Sequence, residues 1–131
     1  MKRACFAAIA LVLACLPVRA EMNVSEGEFA TLQAVMQSHI DQNLVDGALL
    51  HLDEKTGKVR ALYPAKAHPM IMALGQYYYL CSDFRDQDGK KVMVNFYAAK
   101  DHDHYVIFHT DFEANEELEH LVEKNGKLAS N

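Results

Sequence analysis

The segment AAKDHDHYVIFHTD (98–111) carries three histidines and three aspartates within fourteen residues. Imidazole and carboxylate groups bind transition metals, and histidine also exchanges protons near neutral pH. His102 and His104 flank Asp103, and this aspartate-rich stretch favours a chain reversal that would leave both imidazoles in solvent. His104 and His109 are five residues apart, so a regular strand directs them to opposite faces. We therefore interpret the segment as a solvated turn leading into a strand, with His102 and His104 as secondary metal candidates.

A different metal site would combine residues that are far apart in the sequence. If two hairpins form, their approximate pairing places Cys81 opposite Val94 and Val94 opposite His109. Cys81, Asp83 and His109 then share one face of a sheet, and His68 could join them. Thiolate, imidazole and carboxylate ligands suit zinc or copper, although the chain contains no Cys-x-x-Cys or His-x-x-x-His motif. The simpler interpretation is a buried cysteine and a strand histidine that require no cofactor.

Nucleophilic chemistry has one candidate in the sequence. Cys81 and His109 could form a thiol–base couple on the same pairing, with Asp83 or Asp111 orienting the base. A reactive thiol needs an exposed, electropositive environment, and the neighbouring tyrosines and acids would instead raise its pKa. No Gly-x-Ser-x-Gly motif occurs. We therefore predict a non-catalytic protein, with a cysteine-dependent enzyme as a remote alternative.

Tyrosines offer a further surface that could bind a ligand. Alternation along a strand places Tyr77 and Tyr79 on one face, and we predict that they form a binding surface with Tyr97 and Tyr105. Tyrosine contributes a large contact area at a low cost in conformational entropy. The leading hypothesis is therefore a binding or accessory module that contacts a protein or a small ligand through a sheet face or edge.

The elements that must position these residues begin with a helix over residues 25–44. Ser25 with Glu28 three residues later is typical of a capping box, and Asp46-Gly47 ends the pattern. Apolar residues then recur at steps of three and four, which indicates one amphipathic stripe. They are Phe29, Leu32, Met36, Ile40 and Leu44.

The remaining pattern has the two-residue period of strands. Residues 47–64 predict two strands joined by a turn, and strands also follow over 76–84, 92–99 and 104–112. Residues 65–75 contain Pro69 and predict a short helical turn or an edge segment. The fold class is thus α+β: an N-terminal helix on a four- to five-stranded antiparallel meander, with a short C-terminal helix at about 113–124. Both sheet faces are largely apolar, which favours coverage by the helices or by a second subunit in a homodimer.

The first twenty residues resemble a secretory signal peptide. Lys2 and Arg3 precede an uncharged apolar run over 4–16, and Ala20 ends a small-residue exit before Glu21. The run is too short for a permanent membrane span. We therefore predict cleavage that leaves a single domain, residues 21–131, in the periplasm. The alternative is a lipoprotein anchored through Cys15, because LVLAC (11–15) resembles a lipobox.

The net charge of the chain excludes some classes of partner, and its cysteine content limits how the fold can be stabilised. Cleavage would remove three of the 13 basic residues and no acidic one, leaving a formal charge of −8 against −5 for the whole chain. Such a surface repels nucleic acid and anionic lipid. Cys81 would be the one remaining cysteine, so stability must come from packing without an intramolecular disulfide.

Several stretches carry a resemblance to a known group of proteins. The succession VDGALLHLDEKTGK, AHP, YYYLCSDFRDQDGK, VNFYAA and IFHTDF resembles a family of small, exported, uncharacterised bacterial proteins. The order of elements is similar to that of cystatin-like and PepSY-like α+β modules, and DEKTGK (53–58) is similar to the Asp-x-x-Thr-Gly-Lys turn of PepSY units. The resemblance covers about residues 45–112. It implies a non-catalytic accessory module and assigns no role to a particular residue.

Overall fold

One helix packs on a curled antiparallel sheet in the computed structural model, which describes residues 24–65, 70–112, 120 and 127–128. Seven strands form a half-barrel, and a two-residue strand, β8, extends the sheet beside the fourth strand. The predicted α+β class is confirmed, with more strands than the four or five expected. The elements are α1 (Glu26–Gln42), β1 (Leu44–Val45), β2 (Ala48–Asp53), β3 (Lys58–Pro64), β4 (Met70–Leu74), β5 (Tyr77–Arg85), β6 (Lys91–Asp101), β7 (His104–Asp111) and β8 (Lys127–Leu128).

The predicted C-terminal helix and the predicted signal peptide fall wholly or partly on residues that are not described. The C-terminal helix expected at about 113–124 lies outside the described residues except for His120. The signal peptide expected over residues 1–20 also lies outside them. Within the part of the chain that is described, no helix is both long and apolar enough to cross a membrane.

Strand β5 is the centre of the sheet. One of its edges pairs with β6 along nine residues, from Tyr77 to Arg85. Its other edge pairs with β4 over the first half and with the end of β3 at Phe84 and Arg85. Strands β3, β2 and β1 continue the sheet on one side, and on the other side β7, next to β6, is the last of the described strands. Residues 70–74, expected as a helical turn or an edge segment, are therefore a strand that pairs with both β5 and β8.

Helix α1 begins as the capping pattern predicts. The Glu28 amide donates to the Ser25 hydroxyl at 3.3 Å, and the Ser25 amide in return bonds the Glu28 carboxylate. The helix ends at Gln42, two residues before the predicted end, because Leu44 enters β1. Buried Leu32, Met36 and Ile40 carry the apolar stripe.

The helix and the inner face of the sheet share one core. Leu80, Phe84 and Phe96 on β5 and β6 are fully buried together with Leu32 and Met36 of α1. Burying a side chain of this size stabilises the fold by about 1.5–3 kcal/mol. A smaller cluster of Met72, Tyr79, Cys81 and Tyr97 lies on the opposite, outer face. Both faces of the central strands are thus apolar, as the sequence pattern predicted.

The predicted register was wrong at both hairpins. Cys81 pairs with Asn95, one residue beyond Val94, and His109 pairs with Tyr97. The one-residue shift in register at the β5–β6 hairpin has a local cause. The Asp86 carboxylate accepts hydrogen bonds from the backbone amides of Asp88 and Lys90, at 3.0 and 2.8 Å. These bonds organise residues 86–90 as a five-residue loop that brings Arg85 opposite Lys91.

A β-bulge in β7 changes which side chains share a face. Tyr97 pairs with His109, but the next residue, Ala98, pairs with Ile107, so Phe108 is an extra residue on β7. The extra residue shifts the alternation by one. His104 and His109, expected on opposite faces, therefore both lie on the outer face of the sheet.

Candidate functional site

Cys81, Asp83 and His109, the three predicted metal ligands that the structure describes, do not assemble around one point. Cys81 is buried, with 3% of its surface exposed, and its cross-strand neighbours are Met70 and Asn95. His109 shares the outer face with Cys81, but β6 lies between their strands. Asp83 on β5 forms an ion pair with Lys91 over 2.9 Å.

The metal hypothesis therefore stays a prediction. Among the described residues, no group of three or more histidines, cysteines, aspartates and glutamates is arranged to hold a metal ion. His68, the fourth candidate, lies outside the described residues. Binding of zinc or copper through Cys81, His109, Asp83 and His68 has no geometric support in the described part of the chain.

His102 and His104 lie at a tight turn between β6 and β7, as predicted. His102 and Asp103 connect β6 to β7, and His102 has a positive φ of 55°. The carboxylate of Asp101 lies 2.8 Å from Nδ1 of His102 and 3.4 Å from Nε2 of His104. All these side chains are exposed, so the turn is a solvated polar cluster.

Three of the four tyrosines predicted as one binding surface share the outer face of the sheet. Tyr79 and Tyr97 are buried on the outer face with their ring centroids 5.5 Å apart. Tyr77 is exposed on that face, where its ring meets the ring of Phe108 edge-on at 5.7 Å. Tyr105 pairs with Lys100 and belongs to the inner face. Of these four residues Tyr77 is exposed and Tyr105 is partly exposed, and a binding surface common to all four stays a prediction.

Glu28 is a residue whose second role the sequence did not indicate. The hydroxyls of Tyr78 and Tyr105 both donate to its Oε1 atom, at 2.6 and 2.5 Å. Burial raises the pKa of Glu28, but the bonds from Tyr105, Tyr78 and the Ser25 amide, with the charge of Lys100, outweigh it and lower the pKa. This cluster of Glu28, Tyr78 and Tyr105 joins α1 to β5 and β7.

The same cluster changes the acidity of its two tyrosines. Burial is the main cause that raises the pKa of Tyr78, and the bond to the negative Glu28 raises it further. The pKa of Tyr105 is raised for the same two reasons. Both phenols therefore stay protonated and act as hydrogen-bond donors that hold the helix against the sheet.

A groove of about 470 Å³ runs between α1 and β7, and we call it the α1–β7 groove. Three consecutive residues of β7 line the groove, so the groove runs along the side of this strand. Burial lowers the pKa of His39 in its wall, so this imidazole is neutral at pH 7. The lining residues are Thr31, Ala34, Val35, Ser38, His39 and Gln42 of α1 with Tyr105, Val106 and Ile107 of β7.

A second groove, the β2–β7 cleft, has a volume of about 540 Å³ and lies between β2 and the end of β7. The ring of Phe112 stacks on the ring of His51 with a centroid distance of 4.3 Å and spans the gap between these strands. The lining residues are His51, Leu52, Asp53, Glu54 and Lys55 with His109, Thr110, Asp111 and Phe112.

The two grooves lie along the same side of β7, the side that faces away from β6. We call this side of the strand the β7 edge. In the described part of the chain, β7 pairs with β6 alone. The outer face beside this edge carries two exposed apolar side chains, Val106 (43% exposed) and Phe108 (57%). The bulge is what projects Phe108 onto this face. The β7 edge was missed because edge position depends on strand order, which the sequence pattern does not contain.

Exposed apolar side chains also lie on the outer face of the first three strands. Val45, Leu50, Leu52, Val59 and Tyr63 are all more than two-fifths exposed. Val59 lines neither groove beside β7. It therefore supplies a control position for experiments on the β7 edge.

Comparison of the chain with protein-family models, with curated proteins and with solved structures gave no match. The fold and the site define the class: an α+β half-barrel whose last long strand has an edge flanked by two grooves. The resemblance to cystatin-like and PepSY-like modules stays a prediction that rests on the residues quoted for it.

Proposed function

We propose that the protein is a non-catalytic binding module that takes up an extended polypeptide segment as an added strand on the β7 edge. The observation that carries the proposal is the position of the α1–β7 groove along three consecutive residues of this edge. A segment that adds to a sheet edge gains main-chain hydrogen bonds, and its alternate side chains enter flanking pockets.

The main chain of the β7 edge supplies the first part of the recognition. Strand residues carry amide and carbonyl groups on both sides, and β6 satisfies those on one side. The groups on the other side need water or a partner. A strand edge therefore accepts an incoming backbone with little dependence on its sequence.

The side chains around the edge supply the second part. A strand added to β7 would lie about 4.8 Å from it, with side chains directed alternately to the two faces of the sheet. On the inner face they would enter the groove beside Ala34 and Val35. On the outer face they would contact Val106 and Phe108. An exposed aromatic ring is a frequent source of binding energy at interfaces.

Peptide titration followed by amide NMR tests the proposal. The probe is a capped eight-residue peptide of alternating valine and threonine, and the control is the same peptide N-methylated at alternate residues. We expect the unmodified peptide to shift and protect the amides of residues 105–107, because it forms main-chain bonds there. Equal effects from the N-methylated peptide, or shifts confined to other strands, would contradict strand addition.

A matched pair of helix variants locates the binding site. Ala34 and Ala30 are both exposed on α1, but only Ala34 lines the α1–β7 groove. We expect Ala34→Trp to fill the groove and weaken binding at least about tenfold, whereas Ala30→Trp leaves it unchanged. Equal losses in both variants would place the binding site elsewhere.

The proposed location is the periplasm. It is supported by the charged start at Lys2 and Arg3, the apolar run over 4–16 and the small residue Ala20. Mass spectrometry of the exported protein tests it, with an N-terminus at Glu21 expected. A lipid-modified N-terminus at Cys15 would support the lipoprotein alternative, and an uncleaved chain in the cytoplasm would contradict export.

A further inference from the structure

The centre of the β7 edge is free of acidic and strongly basic side chains in the part of the chain that the structure describes. Of the described residues that line the α1–β7 groove, none is an aspartate, glutamate, lysine or arginine. Val106 and Phe108 add exposed apolar area on the outer face. A charged side chain placed here would lose hydration without gaining a partner, so the centre of a bound segment must be apolar or uncharged.

The C-terminal end of the β7 edge carries excess negative charge. Asp53 and Glu54 line the β2–β7 cleft together with one lysine, Lys55, and two imidazoles, those of His51 and His109. The Asp53 carboxylate is held in place, since it accepts from the Lys55 amide at 2.9 Å and from the Thr56 hydroxyl at 2.8 Å. This end of the edge therefore attracts a cation.

The N-terminal end of the edge carries the same sign of charge. Asp101 and Asp103 at the β6–β7 turn are both exposed, and Asp103 is fully so. The imidazoles of His102 and His104 lie against these two carboxylates, and the nearby ammonium group, that of Lys100, lies over the Tyr105 ring at 5.8 Å from its centroid. Each end of the edge thus has one carboxylate more than it has lysines, while the groove between them is lined by no aspartate, glutamate, lysine or arginine among the described residues.

From this distribution we infer that the bound segment is uncharged and apolar at its centre and carries basic residues at both ends. The inference rests on the proposed function, because it describes the occupant of the same edge. Lysine or arginine near each end would meet the acids of the cleft and of the turn. Opposite charges that are partly exposed each contribute a small gain, so the effect is one of preference rather than of total affinity.

The same charges argue against a second copy of this chain as the occupant. Antiparallel pairing of two β7 edges would place the acidic turn of one protomer beside the acidic cleft of the other. Parallel pairing would place turn beside turn and cleft beside cleft. Like charges meet in both cases, which disfavours association. The occupant is therefore a different polypeptide with basic flanks.

Three peptides with a common centre test the inference. Each contains the alternating valine–threonine centre, and the ends carry paired lysines, paired glutamines or paired glutamates. We expect the lysine peptide to bind about fivefold tighter than the glutamine peptide in about 20 mM salt, and the glutamate peptide to bind weakest. The differences should shrink in about 0.5 M salt, because the charges are screened.

Charge-removing variants identify the acids responsible. Glu54→Gln and Asp103→Asn should each reduce the preference for the lysine peptide about twofold, whereas Asp88→Asn, in the β5–β6 turn, should leave it unchanged. These three carboxylates are exposed, so folding is expected to survive, and thermal unfolding confirms it for each variant.

The outcomes separate this inference from the proposed function. Equal affinities for the three peptides, or tighter binding of the glutamate peptide, would overturn the charge inference while leaving strand addition in place. Failure of all three peptides to bind, or binding that survives Ala34→Trp, would overturn the proposed function itself.

Discussion

The Tyr105 hydroxyl in β7 donates a hydrogen bond of 2.5 Å to the Glu28 carboxylate in α1. The bond ties the first turn of the helix to the last long strand of the sheet, and Tyr105 also lines the α1–β7 groove. The distance between helix and strand edge is therefore set at a defined point. A groove that is held in shape before binding costs less to order when a ligand enters.

Removing the Glu28 carboxylate should destabilise the fold. Glu28→Ala leaves the hydroxyls of Tyr78 and Tyr105 without their shared acceptor in a partly buried position. We expect a loss of about 2–3 kcal/mol in the free energy of unfolding, measured by urea denaturation. Glu26→Ala, in the same helical turn and exposed, is the matched control and should change stability by less than about 0.5 kcal/mol. Equal effects would show that the tyrosine bonds contribute nothing specific.

The Glu28 contribution should also depend on pH in one direction. Its pKa is lowered in the folded state, so the folded protein holds the charged carboxylate more strongly than the unfolded chain does. The stabilisation is complete above the ordinary pKa of 4.5 and is lost as the pH falls through the lowered pKa of the folded state.

Urea midpoints of the native protein and of Glu28→Gln between neutral and acidic pH measure this effect. The difference between the two proteins should be constant near neutral pH and should shrink below the ordinary pKa of the carboxyl group. A difference that grew on acidification would mean that the pKa is raised in the folded state, contrary to the hydrogen-bond geometry.

Phe108 should matter for binding and little for stability. Its ring is more than half exposed on the outer face beside the β7 edge. We expect Phe108→Ala to weaken binding of the valine–threonine peptide about tenfold with less than about 1 kcal/mol change in unfolding free energy. Val59→Ala on β3 removes an equally exposed apolar side chain and should not affect binding. A loss of affinity in both variants would indicate that the binding surface lies outside the β7 edge.

Transition metals should leave the stability of the protein unchanged. The described residues contain no three-ligand group, and Cys81 and His109 are separated by β6. We expect no rise in Tm on adding one equivalent of zinc or copper, measured by calorimetry. A rise that disappears in both Cys81→Ser and His109→Ala would instead support the metal-binding alternative.

Local patterns predicted the elements that depend on near neighbours. Ser25 and Glu28 correctly placed the start of α1, because a helix cap is formed by residues three positions apart. Residues 47–64 were correctly predicted as two strands joined by a turn, and Gly57 in this turn has a positive φ. Interactions of this kind are complete within a few residues, so the sequence contains all the information they need.

The pairing register of the strands was harder to predict from the sequence. The first hairpin was predicted one residue out, because the loop length depends on how Asp86 bonds the amides that follow it. The bulge at Phe108 has no sequence signature that sets it apart from a regular strand residue. It nevertheless decides that His104 and His109 share a face.

By itself, the sequence determined an α+β domain with one amphipathic helix, alternating strands and apolar residues on both sheet faces, since each of these follows from local periodicity. Only the tertiary structure decided that β7 lies at an edge beside α1 and that Glu28 meets Tyr78 and Tyr105. Glu28 is 50 positions from Tyr78 in the sequence and 77 positions from Tyr105. Such contacts depend on the order in which the strands pair and on the curl of the sheet. Neither property can be read from a short stretch of the sequence.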